Sequence, residues 1–346
     1  MGVITPTLNT GNMAPFTGLI DLEWVKSYNS VPQTARNSGI WKIAPWQKGW
    51  GDSKRFSELE MQEYADDKPE GDKAKQVQVQ IGYTKDCDLV RRGGNLGITW
   101  ELRNRDKFDE ILPTIGGMAK IVLNRMDLDL SHRLTFMEDT TYTDKNGNTV
   151  DLTVGDGLAL ASTAHTLLAS STTSRNILAG NPRLSEGSLE AMEELSVANT
   201  YNHFGEKMSA MVDILWAADD PETCNIAKRL LQATADISAP NAGVPNVYQG
   251  KYTFKKLDRL ATDKNGANDR DKAKRWGLAS SSYGNLRMYV EQDAVLVKPK
   301  MNGKDLSEMN WEDVETDSVT YRTRGSYGIV SISAKGIFVS LGDGTP

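Results

Sequence analysis

Residues 108–134 run FDEILPTIGGMAKIVLNRMDLDLSHRL, the strongest helical pattern in the chain. Ile111, Leu112, Ile115, Met118, Ala119, Val122, Leu123 and Met126 recur at three- and four-residue spacing, and the pattern continues to Leu130 and Leu134. That spacing puts them on one face of an α-helix. At the standard rise the segment is roughly 40 Å long, a spine on which other elements can be laid. Pro113 and the Gly116-Gly117 pair sit early in it, which predicts a kink in the first turns or a late start.

Upstream, Val77, Val79, Ile81 and Tyr83 alternate with Gln76, Gln78, Gln80 and Gly82. This is the two-residue period of a strand with one apolar face. A matching strand-like segment covers Arg55–Tyr64, and Asp66–Asp72, with Pro69 and Gly71, supplies the turn. The result is a long hairpin, and a two-stranded hairpin alone in water is marginal. It needs a surface, either in its own sheet or on another chain. Trp41, Trp46 and Trp50 cluster just before it, placed equally well for core packing and for anchoring a contact between chains. Residues 1–39 are rich in Thr, Asn, Gly and Pro and show no sustained period, which predicts an arm that lies across a neighbouring copy.

Downstream, Asp144-Lys145-Asn146-Gly147 is a hairpin turn, and the same four residues recur at Asp263–Gly266. Leu184–Ala198 reads as an amphipathic helix capped by Ser185. Ser209–Trp216 reads as a strand, and Asp220-Pro221-Glu222 opens another helix. Tyr252–Phe254, Trp276–Ala279 and Leu286–Val290 read as strands, and Val319–Leu341 returns to β structure. A spine with β structure and a mixed α/β block are thus flanked by an arm and a hairpin.

Composition narrows the function. The chain has 346 residues, 39% hydrophobic and 25% charged, with a formal net charge of −6, so its average surface repels nucleic acid and anionic membranes. No apolar run is long enough to span a bilayer. The two cysteines, Cys87 and Cys224, read as free thiols in a reducing compartment. The three histidines, His132, His165 and His203, are far apart and in no zinc-ligand spacing with the cysteines. No phosphate-cradling loop or nucleophile elbow appears. Ser162 and His165 lie three apart, but a triad needs geometry and an orienting acid that spacing does not supply. The acidic pairs Asp219-Asp220 and Glu193-Glu194 fall at a helix start and on a polar helix face, where solvated carboxylates are expected. No catalytic, cofactor-binding or metal residue is assigned.

The order of parts carries a resemblance. Asp156-Gly157-Leu158-Ala159-Leu160 running into Ser162-Thr163-Ala164-His165, Leu184-Ser185 followed by Leu189 and Glu190, and Trp276–Tyr289 are similar to stretches of the major capsid proteins of tailed bacteriophages with the Hong Kong 97 fold, most of all the Mu-like head subunits. The resemblance covers about residues 40–346. It implies an α+β fold with an N-terminal arm (1–40), an E-loop hairpin with flanking strands (41–102), a peripheral domain with the spine helix (103–157), a mixed α/β axial domain (158–305) and C-terminal strands returning to the peripheral domain (306–346). It implies a structural protein without an active site. Copies would assemble as pentamers and hexamers of an icosahedral shell in the host bacterial cytoplasm and remain in the virion around double-stranded DNA, touched non-specifically, with no membrane partner. Residues 1–39 do not resemble the charged helical scaffolding segment of many members, so scaffolding, portal and decoration proteins would be separate chains. Contacts between copies are expected at Phe16, Trp24, Trp46, Trp50, Arg55, Glu58, Val77, Val79, Arg91 and Arg92. The alternatives are an encapsulin-type bacterial nanocompartment shell and a soluble hydrolase.

Overall fold

The computed structural model describes residues 14–99, 101, 108–235, 245–298, 300–301, 304–305 and 318–344. In chain order the elements are α1 (Ala14–Ser30), β1 (Lys42–Pro45), β2 (Ser53–Met61), β3 (Val79–Asp88), β4 (Val90–Thr99), α2 (Phe108–Thr135), β5 (Thr141–Thr143), β6 (Thr149–Asp151), β7 (His165–Thr166), β8 (Thr173–Ser174) and α3 (Glu186–Ala198). There follow β9 (Ile214–Ala218), α4 (Pro221–Gln232), β10 (Thr253–Leu257), β11 (Trp276–Ala279), β12 (Leu286–Val297), β13 (Lys300–Met301), β14 (Lys304–Asp305), β15 (Ser318–Ser331) and β16 (Ile337–Ser340). This is a mixed α/β chain with several sheets.

The spine is α2, 28 residues without a break. It buries Ile111, Ile115, Met118, Ala119, Val122, Leu123, Met126, Leu130 and Leu134, the face its sequence marks out. The helix does not start late: it runs from Phe108 through Pro113 and the glycine pair. Pro113 falls in the second turn, where its ring costs one backbone hydrogen bond and the helix continues. Gly116 is there for a different reason: a Cβ on it would lie 2.4 Å from Ser27 Oγ and 3.2 Å from Glu23 Oε1 of α1. The glycine is what lets the two helices cross closely.

That crossing corrects the expected arm. Ile20, Trp24, Val31, Ala35, Ile40 and Trp41 are buried in the same core as the α2 residues, so residues 20–41 belong to their own chain. Asp127, fully buried on α2, fastens the segment after α1 by accepting the backbone N–H of Ala35 at 2.9 Å and of Arg36 at 3.2 Å. Its second oxygen takes Arg259 Nη1 at 2.7 Å. Arg36 grips Asp293 with both terminal nitrogens, at 3.1 and 2.7 Å. Residues 1–13 of the expected arm lie outside the described residues.

Two four-stranded sheets complete the body. One has the order β1-β12-β15-β4, and the other β10-β9-β11-β16. In the first, β1 runs parallel to β12, and β15 is antiparallel to both β12 and β4. In the second, β9 is parallel to β10 and antiparallel to β11, which pairs antiparallel with β16. All five residues of β9 are buried. Ile214, Trp216 and Ala218 enter the core that holds α1 and α2, while Leu215 and Ala217 enter a second core with Leu189 and Met192 of α3 and Leu230 of α4. A strand covered on both faces reads as a continuous apolar run, which is why it lacks alternation.

The sheets cut across the expected domain limits. Strand β12, inside residues 158–305, pairs with β15 in the sheet nearest α2. Strand β16, inside 306–346, pairs with β11 in the other sheet. Of the C-terminal strands, β15 pairs in the first sheet and β16 in the second, although Ile337 and Val339 of β16 still enter the core that holds α2. The repeated tetrapeptide makes the same turn twice. Asp144 Oδ1 accepts Asn146 N and Asn148 N, both at 2.9 Å, and Asp263 Oδ1 accepts Asn265 N at 2.9 Å and Ala267 N at 2.7 Å.

Candidate assembly interface

The hairpin of β2 and β3 is where the chain offers most to a partner. Its strands pair from Ser53↔Asp88 to Met61↔Val79, with one register shift between Ser57 and Leu59. Strand β2 ends at Met61 rather than Tyr64 and β3 begins at Val79 rather than Lys75, because residues 62–78 form a longer connection than the alternation predicts. The turn lies where it was expected, with Asp72 N–H donating to Pro69 O at 3.2 Å.

At the root, aromatic rings hold the hairpin to the first sheet. Phe56 stacks on Tyr289 with centroids 4.5 Å apart. Trp50 meets Trp46, Phe56 and Tyr289 edge-on at 5.3–5.4 Å. Trp46 is buried and donates its indole N–H to Gly51 O at 3.0 Å. Offset and edge-to-face pairs of this kind add roughly 0.5–1.5 kcal/mol each beyond their burial. Cys87 is buried in the same cluster, and burial pushes its thiol up to about 12.

Further out, one face of the hairpin is latched to its own body. His203 Nε2 lies 2.9 Å from Glu58 Oε2, and the His203 backbone N–H donates to Glu60 Oε2 at 2.7 Å. Lys335 Nζ pairs with Glu60 Oε1 and lies 3.5 Å from Glu58 Oε1. Tyr83 packs edge-on against His203 and places its hydroxyl 2.7 Å from Thr166 Oγ1. Burial alone would raise the Glu58 carboxyl, but the His203 hydrogen bond and the Lys335 charge outweigh it and hold it below its ordinary value. Gly82 sits where any side chain would collide: its Cβ would be 2.6 Å from His203 Nε2 and 2.8 Å from Glu58 Cβ. Glu58, Glu60 and His203 converge closely enough to hold a cation. The Lys335 ammonium already lies against both carboxylates and neutralises them, so the cluster works as a latch.

The other face is apolar and open. Leu59 is 68% exposed, Met61 57%, Val77 55%, Val79 55% and Ile81 63%. Leu59 stands opposite Ile81, and Met61 opposite Val79, so cross-strand partners form one surface. Contiguous exposed apolar area of this kind marks an interaction site.

The residues expected at contacts between copies divide accordingly. Val77 and Val79 lie on the open face. Arg55 and Arg91 are exposed and pair with Asp86 at 2.8 Å and Asp52 at 2.7 Å. Trp50 is partly exposed at the root. Trp24, Trp46 and Glu58 are buried within their own chain. Arg92 turns inward, 3.6 Å from Asp129 and 3.5 Å from Asp144, where Arg125 also meets both carboxylates and Tyr327 donates to Asp129 at 2.5 Å. Phe16 lies on α1, and its side chain falls outside the described residues.

The histidines have local duties. His132 is buried with a Tyr142 hydroxyl 3.3 Å from Nδ1 and Thr262 Oγ1 3.2 Å from Nε2, and burial lowers it to about 4. His165 Nδ1 meets Asp156 Oδ2 at 2.7 Å, and Nε2 lies 3.3 Å from Leu160 O. Ser162 Oγ accepts from Ala164 N at 3.3 Å. The cavity beside His165 and His203 is about 30 Å³, space for a single water.

No protein-family model matches the chain, and no curated protein matches it. Solved structures resemble its path at low identity. A chain of Gordonia phage Cozz shares 14% identity over 90% of this chain and 89% of that one, with a TM-score of 0.47. The virus-like particle from Pyrococcus furiosus shares 10% over 94% and 99%, at 0.49. The capsid of Myoviridae Phage XM1 shares 13% over 89% and 91%, at 0.47.

Proposed function

We propose that this chain is the major subunit of a tailed-phage head, with the Hong Kong 97 fold, and that it encloses double-stranded DNA by packing against copies of itself as pentamers and hexamers. The observation that carries the reading is the two-faced hairpin: one face clamped to its own body by Glu58, Glu60, His203 and Lys335, the other apolar and exposed. A protein that stayed monomeric would gain nothing from holding such a face rigidly in water. A subunit whose hairpin lies on a neighbour gains burial there, and a closed shell multiplies each contact by avidity. The assignment of the hairpin as E-loop, α2 as spine and the β9 sheet as axial core belongs to the same proposal. So do virion localisation, assembly in the host cytoplasm and separate scaffolding, portal and decoration proteins.

An encapsulin-type shell would use the same contacts and differ in what it holds. The hydrolase reading loses its best candidate. His165 has both ring nitrogens engaged, Ser162 caps its own turn, and the adjoining cavity has no room for a substrate. The test is electron microscopy of the purified full-length chain together with its particle contents. Closed shells around DNA are expected. Shells around a protein cargo would favour the nanocompartment, and a monomer under all assembly conditions would refute both.

A further inference from the structure

The face of the β4–β15 pair turned away from α2 carries positive charge that its own chain leaves unused. Arg322 and Arg324 are exposed on β15, opposite Asn95 and Gly93 of β4, and Arg91 stands next in line opposite Ser326. Arg92, one residue on, points the other way, toward Asp129 on α2, as the alternation of a strand requires. The three outward arginines line a cleft of about 610 Å³. Among the described residues neither Arg322 nor Arg324 has an ion pair or side-chain hydrogen bond, and Arg91 shares only Asp52 at 2.7 Å, an exposed pair that holds it weakly. Glu291, the one acid lining the cleft among the described residues, takes the Ser326 hydroxyl at 2.6 Å.

The lining of the cleft selects its ligand. Among the described residues no apolar side chain lines it: arginines and Glu291 apart, its walls are glycine, asparagine, glutamine and serine. A protein partner would need an apolar centre to keep water from the charged contacts. Phosphate needs none, since its oxygens are met by guanidinium forks, by side-chain amides and by bare backbone. Gly93 carries no side chain between Arg91 and Asn95, so an anion can come down onto the strand. Arg322 and Arg324, two residues apart on one face, stand roughly 7 Å apart along β15, close enough to grip neighbouring phosphates of one chain together. The positive charge is local. The whole chain carries a formal net charge of −6, so attraction of an anion is a property of this cleft and not of the surface at large.

We propose that the β4–β15 cleft is a binding site for clustered phosphates, gripped by Arg91, Arg322 and Arg324. Its ligand is a chain of phosphates, met either as the phosphodiester backbone of a nucleic acid or as a free polyphosphate. Arginine suits both, because its planar fork takes two phosphate oxygens at once and its charge persists at every physiological pH. The site goes beyond the shell reading and stands apart from it, since binding is read on the free subunit.

The test is calorimetric titration of the full-length, unassembled chain with two probes, a DNA duplex of about 20 base pairs and inorganic tripolyphosphate, across a salt series. Wild type should bind at low salt. Arg322→Gln with Arg324→Gln should weaken binding about tenfold or more and make the salt dependence of duplex binding shallower by about two phosphate contacts, with thermal unfolding unchanged. Lys145→Gln with Lys264→Gln, which removes the same charge from two exposed turns, should bind as wild type does. A duplex held about tenfold tighter than tripolyphosphate, or more, upholds the site and assigns it to a nucleic-acid backbone; comparable affinities with mutual displacement uphold it and assign it to free polyphosphate. A wild-type chain that binds neither probe overturns the proposal. So does an arginine variant that binds like wild type, or a lysine variant that weakens as much as the arginine one. Whether shells form does not enter these readouts, so the site and the shell reading stand or fall separately.

Discussion

Leu59→Asp combined with Ile81→Asp should abolish assembly while leaving the subunit folded. The two side chains face each other across the hairpin and are 68% and 63% exposed in the free chain. Full burial of a Leu or Ile side chain is worth about 1.5–3 kcal/mol, so covering the two-thirds still exposed contributes about 1.5 kcal/mol each, or about 3 kcal/mol for the pair. Losing that weakens each contact roughly 150-fold, before the added penalty of pressing carboxylates into an apolar surface. In the free chain both sites are solvated, and surface changes of this kind shift stability by about 0.5 kcal/mol. Light scattering across a concentration series reads assembly, and thermal unfolding reads the fold. A variant that forms particles at the wild-type concentration would refute the claim that this face is the contact, and one that unfolds several degrees earlier would show that the face is part of the subunit's own core.

Three further outcomes follow from the latch and the helix crossing. Gly82→Ala puts a methyl 2.6 Å from His203 Nε2 and should undock the hairpin, seen as faster amide exchange over residues 53–88 with α2 still protected; unchanged exchange would mean that His203 moves aside freely. The Glu58 carboxyl is held below its ordinary value of 4.5, so its contribution is present above about pH 4.5 and is lost as pH falls through the lower folded value. Exchange in the hairpin should therefore rise in wild type as pH falls below the ordinary carboxyl range, and lose that pH dependence in Glu58→Gln. Gly116→Val drives a side chain into Ser27 of α1 and should cost about 1–3 kcal/mol, read as a lower unfolding temperature, whereas Gly117→Ala, whose Cβ would meet nothing, should not.

Much of this architecture is legible in the sequence where a periodic face meets a single environment. Helix α2 shows its buried stripe plainly, Asp220-Pro221 marks the start of α4, and Trp276–Ala279 falls on β11 residue for residue. Helix α1 escapes because its buried positions, Ile20, Trp24 and Ser27, include a serine, while Leu22 and Val25 are exposed. Its pattern is real but blurred, and the segment reads as an arm. Strand β9 is placed too early because it is buried on both faces and has no alternation to mark its ends. The open hairpin face is written in Val77, Val79 and Ile81. The latch is not, since Glu58, His203 and Lys335 lie far apart along the chain. Its one local trace is Glu58 and Glu60 alternating with Leu59 and Met61, an acidic face opposite an apolar one. Gly116 was a helix breaker by propensity and is a crossing point by packing, a distinction only the partner helix supplies.

The most direct measurement is a cryo-electron microscopy map of the assembled particle, resolved to side chains around residues 53–88. The account predicts Leu59, Met61, Val79 and Ile81 covered by a second copy, with Glu58 still beside His203 of its own chain. A closed particle in which that apolar surface faces solvent, or folds onto its own body, would contradict it.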